Sequence, residues 1–276
     1  MLSWNSEVFA ALRPLIVTVL LPLLALAFYL LLGKRPPDDV MGGRRADSRL
    51  IGRVLIGFWF WMIGPIERFF VRHRLSPNWL TMASAAVSLW AGYLLFRGDF
   101  GWGGWLIIAG GTLDILDGKV ARAMDVSSDA GAFFDSALDR YADIFVLAGL
   151  VAFYRESWLM VLPLLALNGT VVTSYVRARG QALGVNCGAG LMQRAERLLL
   201  IGVSCVLAPI VAALTEGTQP VFWLTAGALG ILAVLSNYTA AFRIHSVYAA
   251  LAASHSAPKP APAATEPLPL RRAKAR

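Results

Sequence analysis

A chain of 276 residues, 57% of them hydrophobic and with a mean hydropathy of +0.61, is too apolar for an ordinary soluble globule and reads as an all-α polytopic membrane protein. Its formal net charge of +8 does not make it a nucleic-acid binder, because the basic residues lie in short loops and tails between apolar runs, with no stripe of interleaved aromatics. Anionic lipid headgroups are the expected partners of that charge.

The first apolar run, 14–32, is long enough at about 1.5 Å per residue to cross ~30 Å of hydrocarbon. Arg13 is the basic residue before it, and Lys34 and Arg35 follow where a cleaved signal peptide would have small residues, so 1–33 is expected to be an N-terminal transmembrane anchor. Residues 34–49, with Arg44 and Arg45 among Gly, Pro and Asp, read as a cytoplasmic linker. Over 50–74 basic residues flank an aromatic run containing Trp59 and Trp61, which Gly64 and Pro65 are expected to interrupt. Aromatic rings between basic ends suit the headgroup boundary, so this stretch is expected to be an interfacial amphipathic helix.

Leu75-Ser76-Pro77-Asn78-Trp79-Leu80-Thr81 then opens a helix, with proline in its first turn after a serine. Spans are expected over 75–96, 102–117, 131–153, 158–175, 195–214 and 221–242, within a core of 75–245. The stretch 254–276, rich in Pro and Ala and basic at its end, is expected to be disordered. Cys187 and Cys205 offer neither a disulfide framework nor metal-ligand spacing. Of the 25 Lys and Arg residues, Arg13, Arg97 and Arg155 alone fall on one side of this seven-span arrangement. By the positive-inside rule the N-terminus is outside the inner (cell) membrane, and the C-terminus and the Asp-rich loop are cytoplasmic.

The stretch from Asp114 to Asp139 carries the chemistry. Asp114 and Asp117 are three apart and Asp135 and Asp139 four apart, so each pair shares one helix face, and two such helices side by side would bring four carboxylates together. Acids at a bilayer edge need a compensating cation, and an all-oxygen donor set suits a hard divalent ion, Mg²⁺ or Mn²⁺, with room for two. Gly118 and Gly131 lack a side chain where a ligand must approach the backbone, and Arg122 is a fork donor suited to phosphate. Ser127-Ser128-Asp129 precedes a helix N-terminus, an anion-friendly place. The pattern is that of a metal-bridged phosphate pocket, with one acid left to accept a proton. Asp143, one turn further, is expected to be the buried partner of an arginine. A cation transporter with intramembrane acids is the alternative from another class, although such sites usually lie near the midplane and across internal repeats, and no repeat is visible here.

Written as D-x2-D-G-x2-A-R-x8-G-x3-D-x3-D, the stretch is filled by Asp114, Asp117, Gly118, Ala121, Arg122, Gly131, Asp135 and Asp139. It resembles the signature of the CDP-alcohol phosphotransferase family at every fixed position, and the resemblance extends over about 50–242. The resemblance implies a six-helix transmembrane catalytic core, a homodimer, and two divalent ions as cofactors. It makes Asp114, Asp117 and Asp135 metal ligands, and Asp139 both a metal ligand and the general base. Asn78, Thr81, Gly118, Arg122 and Ser128, with Gly131, then line the site for a CDP-lipid such as CDP-diacylglycerol. The acceptor hydroxyl attacks the phosphorus bearing the lipid, and CMP departs.

Arg177, Arg179, Arg194 and Arg197 cluster at the expected cytoplasmic ends of two later spans, where they could clamp a phosphate on the acceptor. This part is similar to the phosphatidylinositol-phosphate synthase branch, which implies inositol 1-phosphate as the acceptor. That branch commonly continues its Ala-Arg with Ala-Glu, where this chain has Gly180-Gln181. Glycerol 3-phosphate, another phosphorylated polyol, is the alternative acceptor.

Overall fold

The computed structural model describes residues 21–31, 53–185, 193–215 and 222–256. Their apolar runs form α1 (Leu21–Leu31), α2 (Arg53–Arg72), α3 (Pro77–Phe96), α4 (Phe100–Ala123), α5 (Asp129–Phe153), α6 (Val161–Ala182), α7 (Arg194–Thr215) and α8 (Trp223–Ser256). A single 3₁₀ turn, Trp158–Met160, leads into α6, and no strand occurs among the described residues. The linker over 34–49, residues 1–20 of the anchor, Cys187 and the tail beyond Ser256 lie outside them.

Pro77 stands in the first turn of α3, after Ser76. Several helices outrun the apolar stretches that announce them. α4 continues past Asp117 to Ala123, α6 past Tyr175 to Ala182, and α8 past Phe242 to Ser256, into the segment expected to be disordered. Hydropathy marks where the bilayer-facing surface ends, whereas good helix formers such as the alanines over 249–253 continue the backbone ladder into water. α6 stops at Gly184, whose φ of 76° only glycine takes without strain, and the Val185 N–H then reaches back to the Gly180 carbonyl at 2.9 Å. Gly64 and Pro65 do not interrupt α2, which runs through both. Its Ile63 is buried against Leu80, Leu116 and Val120 of α3 and α4, and that packing offsets the lost backbone hydrogen bond.

By length and composition, four helices among the described residues can cross a membrane: Pro77–Phe96, Trp158–Ala182, Arg194–Ala212 and Trp223–Ala253. Outward faces carry Leu89, Trp90, Leu164, Ile231 and Val234, the surface expected of a chain solvated by hydrocarbon. α3 packs along both α4 and α5, α4 along α7, and α6 along α8. The α3–α5 crossing is so close that a Cβ on Gly149 would collide with the backbone of Gly92. α4 and α5, which carry the acids, meet each other little. Both pack on α3 instead, and it is through side chains that their acids come together.

Candidate active site

Asp114 and Asp117 lie in the last turns of α4, and Asp135 and Asp139 in the first turns of α5. One carboxylate oxygen from each of Asp114, Asp135 and Asp139 comes within 4.8 Å of the other two. Asp117 is turned instead toward α3, where the Thr81 hydroxyl donates to its Oδ2 at 2.6 Å, and both side chains are buried. The structure thus brings three of the four motif acids to one point and ties the fourth to Thr81, which sequence analysis placed on the CDP-lipid.

A third helix completes the cluster. The Glu196 carboxylate accepts a hydrogen bond from the Gln193 N–H at 2.9 Å, which fixes the start of α7. Arg194 in that first turn reaches between the acids, its Nη1 2.5 Å from Asp114 Oδ2 and 2.7 Å from Asp139 Oδ1. Its Nε lies 3.6 Å from Asp143 Oδ1, and Arg197 Nη2 lies 3.4 Å from Asp143 Oδ2. Asp143 is therefore the buried partner of arginine, as its place one turn beyond Asp139 predicts. Packing of α7 on α4 makes the meeting possible.

The remaining candidates divide by exposure. Ser128 caps α5, its hydroxyl accepting from the Gly131 N–H at 3.1 Å. A Cβ on Gly118 would press on the guanidinium of Arg122, so glycine there leaves that fork its place. Arg122 itself, Asn78, Arg177 and Arg179 are exposed, whereas Arg194 and Arg197 are mostly buried. The four arginines expected to hold an acceptor phosphate thus form an exposed pair on α6 and a buried pair on α7.

Two features of the site have no counterpart in the sequence reading. Lys119 Nζ lies 2.7 Å from Glu67 Oε2, tying α2 to α4 beside the motif. Arg243 of α8 is buried and donates from Nη1 to the Thr173 carbonyl at 3.1 Å, bracing α6 at the same end. Both look like flanking charge in the sequence, and only the helix packing distinguishes them.

The donor set fits a hard divalent cation: three carboxylate oxygens close enough to share one ion, in a cluster that already holds a guanidinium as counter-charge.

The family profile of CDP-alcohol phosphatidyltransferase matches residues 74–235. The phosphatidylinositol phosphate synthase of Mycobacteroides abscessus is 34% identical over 188 residues, which cover 66% of this chain and 82% of the relative. That of Streptomyces avermitilis is 33% identical over 215 residues, covering 74% and 86%. Among solved structures, Mycobacterium tuberculosis phosphatidylinositol phosphate synthase with CDP-DAG bound superposes with a TM-score of 0.57 at 27% identity, covering 67% of this chain and 92% of that one. The same enzyme in complex with manganese and citrate gives a TM-score of 0.59, covering 67% and 88%. The profile match, the complete acidic motif and the meeting of its carboxylates lead to one conclusion: the chain belongs to the CDP-alcohol phosphatidyltransferase family.

Proposed function

We propose that this protein moves the phosphatidyl group of CDP-diacylglycerol onto the hydroxyl of inositol 1-phosphate and releases CMP. The observation that carries the reading is the meeting of Asp114, Asp135 and Asp139 within 4.8 Å, with the guanidinium of Arg194 at the cluster and that of Arg197 behind it. Relatives of this branch are phosphatidylinositol phosphate synthases, and the solved mycobacterial enzyme binds CDP-DAG in one crystal and manganese in another.

Asp114, Asp117, Asp135 and Asp139 would hold two divalent cations, Mg²⁺ or Mn²⁺, which would supply charge neutralisation for the pyrophosphate. Thr81 keeps the Asp117 carboxylate in one orientation for that task. Arg122 and the N-terminus of α5, at Ser128 and Gly131, offer donors to the donor's phosphates, and Asn78 and Gly118 complete that side. Asp139 takes the proton of the acceptor hydroxyl, whose oxygen attacks the phosphorus bearing the lipid while the bond from that phosphorus to the CMP oxygen breaks. Arg194 and Arg197, with the outer pair Arg177 and Arg179, receive the acceptor's phosphate.

In this reading α3–α8 form the six-span core over 75–245, α2 lies in the cytoplasmic interface, and α1 belongs to an N-terminal anchor. The active site and C-terminus face the cytoplasm of a cell-membrane homodimer, with the N-terminus outside.

The test is purified protein with CDP-diacylglycerol and Mn²⁺, given inositol 1-phosphate, glycerol 3-phosphate, inositol or serine in separate reactions, with CMP release measured. Inositol 1-phosphate is expected to give the fastest release. Preference for glycerol 3-phosphate moves the acceptor assignment, equal turnover with inositol removes the role of the arginines, and ion flux in proteoliposomes without CMP replaces the enzyme with a transporter.

A further inference from the structure

Arg194 stands within the acidic cluster as its cation. Nη1 contacts Asp114 Oδ2 at 2.5 Å and Asp139 Oδ1 at 2.7 Å, while Nε lies 3.6 Å from Asp143 Oδ1. The guanidinium occupies one oxygen of each of those two carboxylates, and a divalent ion drawing on the same acids would be repelled by it in a poorly screened site, so the two compete. Asp143 is another kind of partner. It lies outside the three-acid group, is buried, and holds Arg197 as well. The one side chain is therefore anchored at two places, one of which a metal would claim and one of which it would leave alone.

Building on the metal site proposed above, we propose that Arg194 is an exchangeable internal cation and Asp143 the positioning residue that retains it. Metal entry displaces Nη1 from Asp114 and Asp139, while Asp143 keeps the guanidinium at the rim of the site. Two guanidiniums then share one carboxylate, and the surplus positive charge is a receptor for the acceptor's anionic group. The cation binds first, and the acceptor site is completed by its arrival.

The test uses full-length protein in detergent, stripped of metal with a chelator. Mn²⁺ affinity is read from the free-ion electron paramagnetic resonance signal for wild type and Arg194→Gln. Phenylglyoxal labelling of Arg194 is read by peptide mass spectrometry with and without Mn²⁺, against Arg155, which is exposed at the other end of the bundle. Arg194→Gln is expected to bind Mn²⁺ at least about 5-fold more tightly, the reciprocal of the competition it removes. Mn²⁺ is expected to raise labelling of Arg194 in wild type relative to Arg155, and in Asp143→Asn to raise it further.

Equal or weaker Mn²⁺ binding by a folded Arg194→Gln, or wild-type labelling that Mn²⁺ leaves unchanged, overturns the exchange while the metal site stands. Labelling in Asp143→Asn no greater than in wild type overturns the retaining role. If wild type binds no Mn²⁺, the metal reading falls and the exchange with it. The wild-type labelling decides the matter even if Arg194→Gln does not fold.

Discussion

Thr81 of α3 donates to Asp117 Oδ2 of α4 at 2.6 Å, and this bond separates Asp117 from the other three motif acids. A positioning role predicts an effect on metal use. Thr81→Val is expected to lower CMP release by about 10–100-fold, the usual scale for a partner that orients a ligand. It should also raise the Mn²⁺ concentration needed for half-maximal activity, while Thr81→Ser retains most activity. A metal titration of CMP release checks this. An unchanged metal requirement with a raised KM for CDP-diacylglycerol would return Thr81 to the donor lipid.

Asp139, like Asp114, contacts Arg194 and belongs to the three-carboxylate cluster, and it is the acid proposed as the general base. Asp139→Asn preserves shape and removes the proposed proton acceptor, so CMP release is expected to fall by about 10²–10⁴-fold. The far-ultraviolet circular dichroism should stay helical. Activity within tenfold of wild type would take proton transfer away from this residue.

The donor set also predicts which ion works. Chelation is expected to abolish CMP release, and Mg²⁺ or Mn²⁺ to restore it. Ca²⁺ is expected to restore far less, since its bonds to oxygen are about 0.3–0.5 Å longer than those of Mg²⁺. Turnover that persists in chelator would contradict the metal assignment.

The acids were legible in the sequence because helix periodicity is local: spacings of three and four place two carboxylates on one face whatever surrounds them. The partners of those acids were not. Arg194 looks like any flanking arginine, and what sends its fork to Asp114 and Asp139 is the packing of α7 along α4, a contact remote in sequence. Thr81 escapes for the same reason, since its partner lies on another helix. The pairing of Asp143 is easier to foresee, because a carboxylate one turn beyond Asp139 needs a cation to be buried at all. The expected break in α2 does not occur, because proline's penalty is local whereas Ile63 in the core and Lys119 on Glu67 hold the helix from outside it.

The close crossing of α3 and α5 predicts a stability effect. A Cβ at Gly149 meets the backbone of Gly92, which has no flexible side chain to yield. Gly149→Ala is expected to cost about 1–3 kcal/mol, as overpacking does, and to lower both the Tm in detergent and the activity, since α5 carries Asp135 and Asp139. Gly227→Ala, where a Cβ would meet nothing within 4 Å, is the matched control and should leave Tm near wild type.

The split of the four arginines into a buried and an exposed pair ranks their expected effects on the acceptor. Arg197 is nearly buried and held by Asp143 at 3.4 Å, whereas Arg177 and Arg179 are exposed to solvent, where a charge is screened and its side chain must be ordered on binding. Arg197→Gln and Asp143→Asn are each expected to raise the KM for inositol 1-phosphate by about 10-fold or more, since a charge-assisted bond is lost or misplaced. Arg177→Gln should raise it less. A merely structural role for Asp143 would lower kcat and Tm and leave the acceptor KM where it was, so the ratio of the two kinetic effects separates the cases. If Arg177→Gln proves the more damaging change, the acceptor's phosphate is held at the end of α6, and the pair beside Asp143 serves the acids alone.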